Sequence, residues 1–198
     1  MKSEDGIVFL KGKRVALRPL RKETDLENCV RWMNNEEIRR FITVYLPVNF
    51  RSEEEWFEKL AKDKENIVLA IETSEGKFIG IMGLHRINWK DRTATTGAII
   101  GDKEYWGKGY GTEAKMLLLD YVFNTLNLRK IGSMVIAYNK RSLAYSLHCG
   151  YKIEGVLKKQ IFKEGRYWDE IILGVFKNDW LSARKKLKER KKKGKVKK

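Results

Sequence analysis

The sequence has 198 residues, 42% of them apolar and 34% charged, which is typical of one globular domain with its own hydrophobic core. Lysine and arginine number 42 against 26 acidic residues, and 11 of these basic residues lie in 184–198, so the tail carries +10 of the formal net charge of +16. Because no stretch reaches the ~20 apolar residues of a membrane span and the N-terminus lacks the features of a secretory signal, we expect a cytoplasmic protein that attracts anionic partners.

Hydrophobic periodicity predicts alternating strands and helices in the first half of the chain. A first strand over residues 14–18 stops at Pro19, and apolar residues at helical spacing then continue to Met33. A second helix is expected from Ser52, because Ser52 and Glu55 have the spacing of a capping box. A period of two then predicts three antiparallel strands, at 67–71, 78–88 and 94–100.

The second half continues this alternation. Helices are predicted from Gly111 and over residues 142–149, with strands at 131–138, 151–162 and 167–176. The element order β-α-α-β-β-β-α-β-α-β-β indicates a single mixed α/β (α+β) domain over residues 1–182, followed by a Lys/Arg-rich tail at 183–198. The two cysteines, Cys29 and Cys149, lack metal-ligand spacing, so we expect reduced thiols in or near the core and no metal site.

A glycine-rich turn precedes the longest predicted helix. Its sequence is Tyr105-Trp106-Gly107-Lys108-Gly109-Tyr110-Gly111-Thr112. Alternating glycines let the backbone approach a ligand closely, and a helix N-terminus adds free N–H groups and partial positive charge. One or two glycines suffice for a tight turn, so the third favours a binding site for a pyrophosphate. The motifs of P-loop and dinucleotide-binding proteins do not occur here.

The turn resembles the acetyl-CoA signature of the GNAT N-acetyltransferases, [Q/R/W]-x-x-G-x-[G/A], with Trp106, Gly109 and Gly111 at its fixed positions. The segment from Asn139 to Ser142, with Gly150-Tyr151 after it, is similar to a second element of that family. Other segments resemble the branch that contains RimJ/RimL-type ribosomal-protein N-acetyltransferases and spermidine N-acetyltransferases. The resemblance covers about residues 10–182 and implies a mostly antiparallel central sheet with helices on both faces.

The resemblance also implies where acetyl-CoA binds. The strand before the turn separates from its neighbour, so the backbone of Ala98, Ile99 and Ile100 is free for the pantetheine. The amides of the turn hold the pyrophosphate, and the expected residues are Trp106, Gly107, Lys108, Gly109, Tyr110, Gly111 and Thr112. Lys108 either pairs with a phosphate or is solvated. Asn139 and Ser142 face the pantetheine and thioester, unless they form only a strand-end turn and a helix N-cap, and Arg141 or Lys140 reaches the 3′-phosphate.

The catalytic residues that the resemblance implies are only partly present in this sequence. Many family members protonate the leaving thiolate with a tyrosine seven residues after the asparagine, but that position is Ser146, and the tyrosine stands at Tyr145, rotated by ~100° on a helix. Tyr145 is therefore a core residue or a proton donor, and Ser142 and Ser146 are alternative donors. A carboxylate common in the family is replaced by Thr95. His85, in the preceding strand, is either a base acting through water or a structural histidine.

Three functions remain open for the acceptor. The first is acetylation of a protein N-terminal amine, with a ribosomal acceptor, and it is favoured by a basic tail that attracts RNA and by an acceptor rim containing Arg31, Arg39, Arg40 and Arg51. The second is acetylation of a small amine, such as a polyamine or an aminoglycoside. The third is a non-catalytic CoA-binding or RNA-associated module. The protein is expected to be a monomer or a homodimer.

Overall fold

A computed structural model describes residues 7–196 of the protein, with side chains over residues 7–190. Two parts of the chain lie outside this description: residues 1–6 and the side chains of the tail at 191–198. The expectation about secretion depends in part on residues 1–6. Among residues 7–196, no helix has both the length and the apolar composition needed to cross a membrane.

Strands and helices alternate along the described chain. The strands are β1 (Leu10–Lys11), β2 (Val15–Pro19), β3 (Ile67–Thr73), β4 (Phe78–Asn88), β5 (Thr93–Ile100), β6 (Lys130–Ile136), β7 (Lys152–Lys163) and β8 (Arg166–Phe176). The helices are α1 (Lys22–Asn34), α2 (Glu36–Arg39), α3 (Phe50–Leu60), α4 (Tyr110–Asn124), α5 (Lys140–His148) and α6 (Lys177–Val196). The sheet order is β1-β2-β3-β4-β5-β6-β8-β7, and only β5 and β6 pair in parallel. The predicted mixed and mostly antiparallel sheet is confirmed.

Helices cover both faces of this sheet. One face packs against α4, α5 and α6, where Leu118 and Trp180 are fully buried in the larger core cluster. The other face packs against α1 and α3, and its smaller cluster includes Phe57 and Ile81. Alternation along β4 separates the two faces, because Met82 lies in the larger cluster and Ile81 in the smaller one. The first face is called the α4 face and the second the α1/α3 face below.

The predicted capping box of α3 is wrong in its register. Asn49, rather than Ser52, is the N-cap. Its side-chain oxygen accepts a hydrogen bond from the backbone N–H of Ser52, and the Ser52 hydroxyl accepts one from the backbone N–H of Asn49. Asparagine and serine are equally good N-cap residues, so the sequence offered two competing starts. The helix therefore begins at Phe50.

Helix α6 joins the domain to the basic tail. Trp180 is fully buried with its ring 5.6 Å from that of Phe123, and Arg184 forms an ion pair of 2.9 Å with Asp120 on α4. The tail predicted from residue 183 therefore continues a helix that packs on the domain. Both cysteines are buried and unpaired, as expected for reduced core thiols.

Candidate active site

A cleft opens where β5 and β6 diverge. The two strands pair only at Thr93–Thr95 with Lys130–Gly132, and beyond this point no ladder joins them. The resulting cleft has a volume of about 810 Å³ and is lined by β5 and β6 from Thr95 and Ser133 onwards. Residues from both faces of the sheet line it, so the cleft connects the α1/α3 face with the α4 face.

The glycine-rich turn forms one end of this cleft. Gly107 and Gly109 have φ angles of +71° and +82°, a conformation that side chains other than glycine rarely adopt. Within residues 7–196, no amide from Gly107 to Thr112 donates to another backbone group, so six consecutive N–H groups are free at the start of α4. This is the arrangement expected of an anion-binding helix N-terminus.

Not every residue of the turn faces the cleft. Trp106, Gly107, Gly109, Gly111 and Thr112 line it. The side chains of Lys108 and Tyr110 do not. Lys108 is exposed, and its carbonyl accepts a hydrogen bond from Arg14. The Tyr110 ring packs under the same arginine, 4.7 Å from the guanidinium. Their predicted contribution to cofactor binding is therefore limited to the backbone.

The edge of β5 provides the wall that the resemblance implies for the pantetheine. Ala98, Ile99 and Ile100 pair with β4 on one side and line the cleft on the other. The Trp106 indole donates to the Ile100 carbonyl at 2.6 Å, and the Arg141 guanidinium stacks on the Trp106 ring at 3.8 Å. The free amides, the open strand edge and the cleft volume together fit acetyl-CoA, which supplies an activated acetyl group as a thioester.

Helix α5 places two further predicted residues on the cleft. Asn139 and Ser142 both line it, and the Asn139 side chain accepts a hydrogen bond from the Ser142 amide at 3.0 Å. The N-cap is therefore Asn139 and not Ser142. His148, at the other end of α5, also lines the cleft.

Tyr145 and Ser146 lie opposite to the positions expected from the family spacing, which places the cleft-facing residue at 146. The Tyr145 ring lines the cleft, whereas Ser146 is fully buried and does not. Neither hydroxyl has a hydrogen-bond partner among the described residues. Burial raises the pKa of Tyr145 well above its ordinary value.

His85 lies on the α1/α3 side of the cleft with a defined orientation. Its Nδ1 is 3.2 Å from the Asn66 side-chain oxygen, and the Asn66 amide nitrogen donates to Asp63 at 2.8 Å. Because the Asn66 oxygen can only accept, Nδ1 carries the proton and Nε2 is free to accept one. Burial, followed by the charge of Arg86, lowers the pKa of His85.

The position of His85 in the sheet is also informative. It pairs directly with Thr95, the position at which the resemblance expects a carboxylate, so the two side chains lie on the same face. The imidazole lies over Gly83, where an added Cβ atom would be 2.0 Å from Nε2. A glycine at this position is therefore required to seat the ring at the cleft.

Lys115 is a cleft residue that the sequence analysis missed. Only 1% of its surface is exposed, and it lines the cleft from α4, one helical turn after Gly111. Its ammonium lies 4.4 Å from the ring centre of Tyr145 and 4.8 Å from that of Tyr151. The helical spacing to the buried Leu118 and Leu119 was the signal that would have found it.

Glu170 is a second missed residue. It is 8% exposed and is the one acidic side chain among the residues that line the described cleft. Its register neighbour on β6 is Ile136, and both belong to the α1/α3 face, because Ile171 and Leu173 lie in the core cluster on the α4 face. No group within residues 7–190 forms a hydrogen bond or an ion pair with its carboxylate.

The expected acceptor rim is different from the observed one. The cleft is lined by Phe41–Val44, whereas Tyr45 and Phe50 are exposed outside it. None of the four rim arginines lines the cleft within the described chain. Arg40 pairs with Glu164 at 2.9 Å and Arg51 with Glu55 at 3.3 Å, so carboxylates partly neutralise this rim.

Comparison with known proteins identifies the family. The family profile described as "Acetyltransferase (GNAT) domain" matches residues 14–152. This chain belongs to the GNAT acetyltransferase family. Spermidine N(1)-acetyltransferase of Escherichia coli K12 is 30% identical over 171 residues, covering 86% of this chain and 90% of that protein. The crystal structure of spermidine N-acetyltransferase from Vibrio cholerae in complex with CoA and spermine has a TM-score of 0.79 and 29% identity, covering 86% of this chain and 99% of the other.

A more distant similarity concerns ribosomal enzymes. A Bacillus subtilis protein provisionally named a ribosomal N-acetyltransferase is 28% identical over 106 residues, covering 54% of this chain and 57% of that protein. The RimJ/RimL branch is therefore not singled out. Family and relatives together make this GNAT protein an acetyl-CoA-dependent N-acetyltransferase, and the reading as a non-catalytic binding module is set aside.

Proposed function

We propose that this enzyme acetylates a small amine that carries a second positive charge, a polyamine being the simplest example. The observation that carries the proposal is Glu170, a buried carboxylate that faces the cleft without a partner among the described residues. A carboxylate that faces a cleft without a counterion is a binding group for a cation, and the ammonium group of a polycationic acceptor supplies that cation. The similarity to spermidine N-acetyltransferases points to the same class of acceptor.

The basic rim no longer argues against such an acceptor. The four rim arginines were expected to favour a protein N-terminal acceptor, but none of them lines the cleft within the described chain, and two are paired with glutamates. The rim therefore no longer favours a protein N-terminus as the acceptor. The basic tail remains its sole support, and proximity to a ribosome or nucleic acid stays a prediction.

In this proposal the acceptor lies on the α1/α3 face, between Glu170 and His85. One ammonium of the acceptor is held by Glu170, while the reacting amine must lose its proton before it can attack. His85 takes that proton at Nε2, directly or through water, because Asn66 keeps the other ring nitrogen protonated. On the cofactor side, the amides of Gly107–Thr112 bind the pyrophosphate, the edge of β5 orients the pantetheine, and Asn139 and Ser142 line its path.

The test compares acceptors and two neighbouring carboxylates. Release of free thiol from acetyl-CoA is measured with spermidine, spermine, an aminoglycoside, a monoamine and peptides with different N-terminal residues. The expected result is turnover of the polyamines, with a KM for spermidine that rises by about 10- to 100-fold in Glu170→Gln. The same variant should leave the monoamine reaction unchanged.

Asp169→Asn is the matched control, because Asp169 pairs with Lys158 outside the cleft. It should behave as the wild type, as should a chain that lacks residues 191–198. Turnover restricted to the peptides, or a Glu170→Gln variant with unchanged spermidine kinetics, would refute the proposal.

A further inference from the structure

Lys115 is the one fully buried lysine in the described part of the chain, and it faces the cleft. The titratable groups that surround the ammonium are Tyr145 on α5 and, just after this helix, Cys149 and Tyr151. All three are neutral at physiological pH, because burial raises the pKa of each. No carboxylate of residues 7–190 forms an ion pair with Lys115.

This environment is unusual because it holds a cation without a counter-anion. The two tyrosine rings give partial stabilisation through their negative faces, but neither provides a hydrogen-bond acceptor for the ammonium in this structure. A buried titratable group without a partner, placed in a cleft wall, is a candidate for a role in the chemistry. An anion that forms transiently in the cleft would complete the site.

The position on α4 indicates which anion this is. Gly111 and Lys115 are four residues apart, so they lie on the same face of the helix, with Lys115 about 6 Å deeper than the phosphate-binding turn. Tyr145 Cε2 would be 3.9 Å from a Cβ atom added at Gly111, so the Gly111, Tyr145 and Lys115 surfaces are continuous. Lys115 also lies on the α4 face, opposite His85 and Glu170 on the α1/α3 face.

We propose that Lys115 is the proton donor to the coenzyme A thiolate that leaves during acetyl transfer. The acceptor nitrogen forms a bond to the acetyl carbon, the carbon–sulfur bond breaks, and its electron pair stays on sulfur. Sulfur then takes a proton from the Lys115 ammonium, which becomes a neutral amine and is reprotonated from solvent. The acceptor nitrogen loses its second proton to water on the other side of the sheet, because His85 already holds the proton that the amine gave up before attack.

The acidity of the candidate donors supports Lys115 over Tyr145. Burial lowers the pKa of Lys115 to about 8, close to the ~8.5 of an ordinary thiol, so proton transfer between them is nearly balanced. The pKa of Tyr145 is raised well above its ordinary value, which makes that hydroxyl a weaker acid. Ser146, at the position of the family tyrosine, does not reach the cleft.

Kinetics of Lys115→Met, Lys115→Arg and Tyr145→Phe test this role, with whichever acceptor the enzyme turns over. Lys115→Met should lower kcat by about 100-fold with little change in the KM for acetyl-CoA. In the wild type, kcat should fall above pH 8, because a proton donor must be protonated. This basic limb should be absent from Lys115→Met and moved to higher pH in Lys115→Arg, whose charge persists. Tyr145→Phe should keep both kcat and the limb.

A second measurement does not depend on turnover. The rate at which acetic anhydride modifies Lys115 is followed by mass spectrometry of the peptide that contains it. CoA should protect Lys115, whereas adenosine 3′,5′-bisphosphate, which lacks the thiol arm, should not. Equal protection by both ligands, or a Lys115→Met variant that keeps kcat and the basic limb, would overturn the assignment. Because neither result depends on acceptor identity, the proposed preference for polyamines could fail while this inference stands.

Discussion

Lys115 should cost the folded protein stability, and Lys115→Met measures that cost. A difference of one pKa unit between folded and unfolded states corresponds to 1.36 kcal/mol. The shift of Lys115 from 10.5 to about 8 therefore represents ~3 kcal/mol of destabilisation at neutral pH. Replacement by methionine removes the charge, shortens the side chain by one atom and forfeits the contacts of the ammonium with two tyrosine rings. We expect the free energy of unfolding to rise by ~1–3 kcal/mol.

The pH dependence of this gain has a definite sign. The folded pKa lies below the unfolded one, so between pH 8 and 10.5 the unfolded state binds more protons and the stability of the wild type rises with pH. Lys115→Met lacks this rise. The variant should therefore exceed the wild type most below pH 8, and the difference should disappear towards pH 10.5.

Urea unfolding followed by tryptophan fluorescence, at several pH values from 7 to 10, is the assay. Lys59→Met is the matched control, because Lys59 is exposed within α3, and it should change neither stability nor the pH profile. A Lys115→Met protein less stable than the wild type at pH 7, or a difference that does not vary with pH, would show that the burial argument is wrong.

Two further predictions concern the base and the cofactor turn. Burial lowers the pKa of His85 below its ordinary value of 6.5, so the base is deprotonated at neutral pH, and kcat/KM of the wild type should fall only when the pH drops below about 6.5. His85→Gln should lower kcat/KM and abolish this acid limb of the pH profile. An acid limb that persists in the variant would exclude His85 as its source. Gly109→Ala places a side chain at a φ of +82°, which costs ~1–2 kcal/mol, so calorimetry should show CoA affinity weakened by about 5- to 30-fold. Gly155→Ala, at a position with open space and no positive φ, should bind CoA normally, and equal affinities of the two variants would contradict the argument.

Local patterns predicted individual strands and the glycine-rich turn because both depend on neighbouring residues. The alternation from Phe78 to Asn88 predicted β4 with its observed bounds, since each face of that strand packs against a different helical layer. The glycines at 107 and 109 signalled a backbone conformation that other residues avoid, and both have positive φ. Neither inference needed knowledge of distant contacts.

The acceptor side could not be predicted in this way, because it depends on which distant segments meet. Glu170 lies beside Asp169 in sequence, and one residue of register decides which carboxylate enters the cleft and which pairs with Lys158 at the surface. Arg40 and Arg51 count as basic residues of the rim in sequence, but their ion-pair partners Glu164 and Glu55 are known only from the fold. Charge counted along the chain therefore overstated the basic character of the acceptor rim.

The chain departs from the family pattern at Thr95 and Ser146, and at each position a proposed catalytic group lies close by. His85 is the direct cross-strand partner of Thr95, and Lys115 contacts Tyr145, the neighbour of Ser146. Each proposed group thus stands next to the position it replaces, on the appropriate face: the base with the acceptor on the α1/α3 face, and the acid with the thiol on the α4 face. Because the cleft passes between β5 and β6, protons leave the acceptor on one side of the sheet and reach sulfur on the other. A base and an acid held apart in this way cannot neutralise each other before the acetyl group moves.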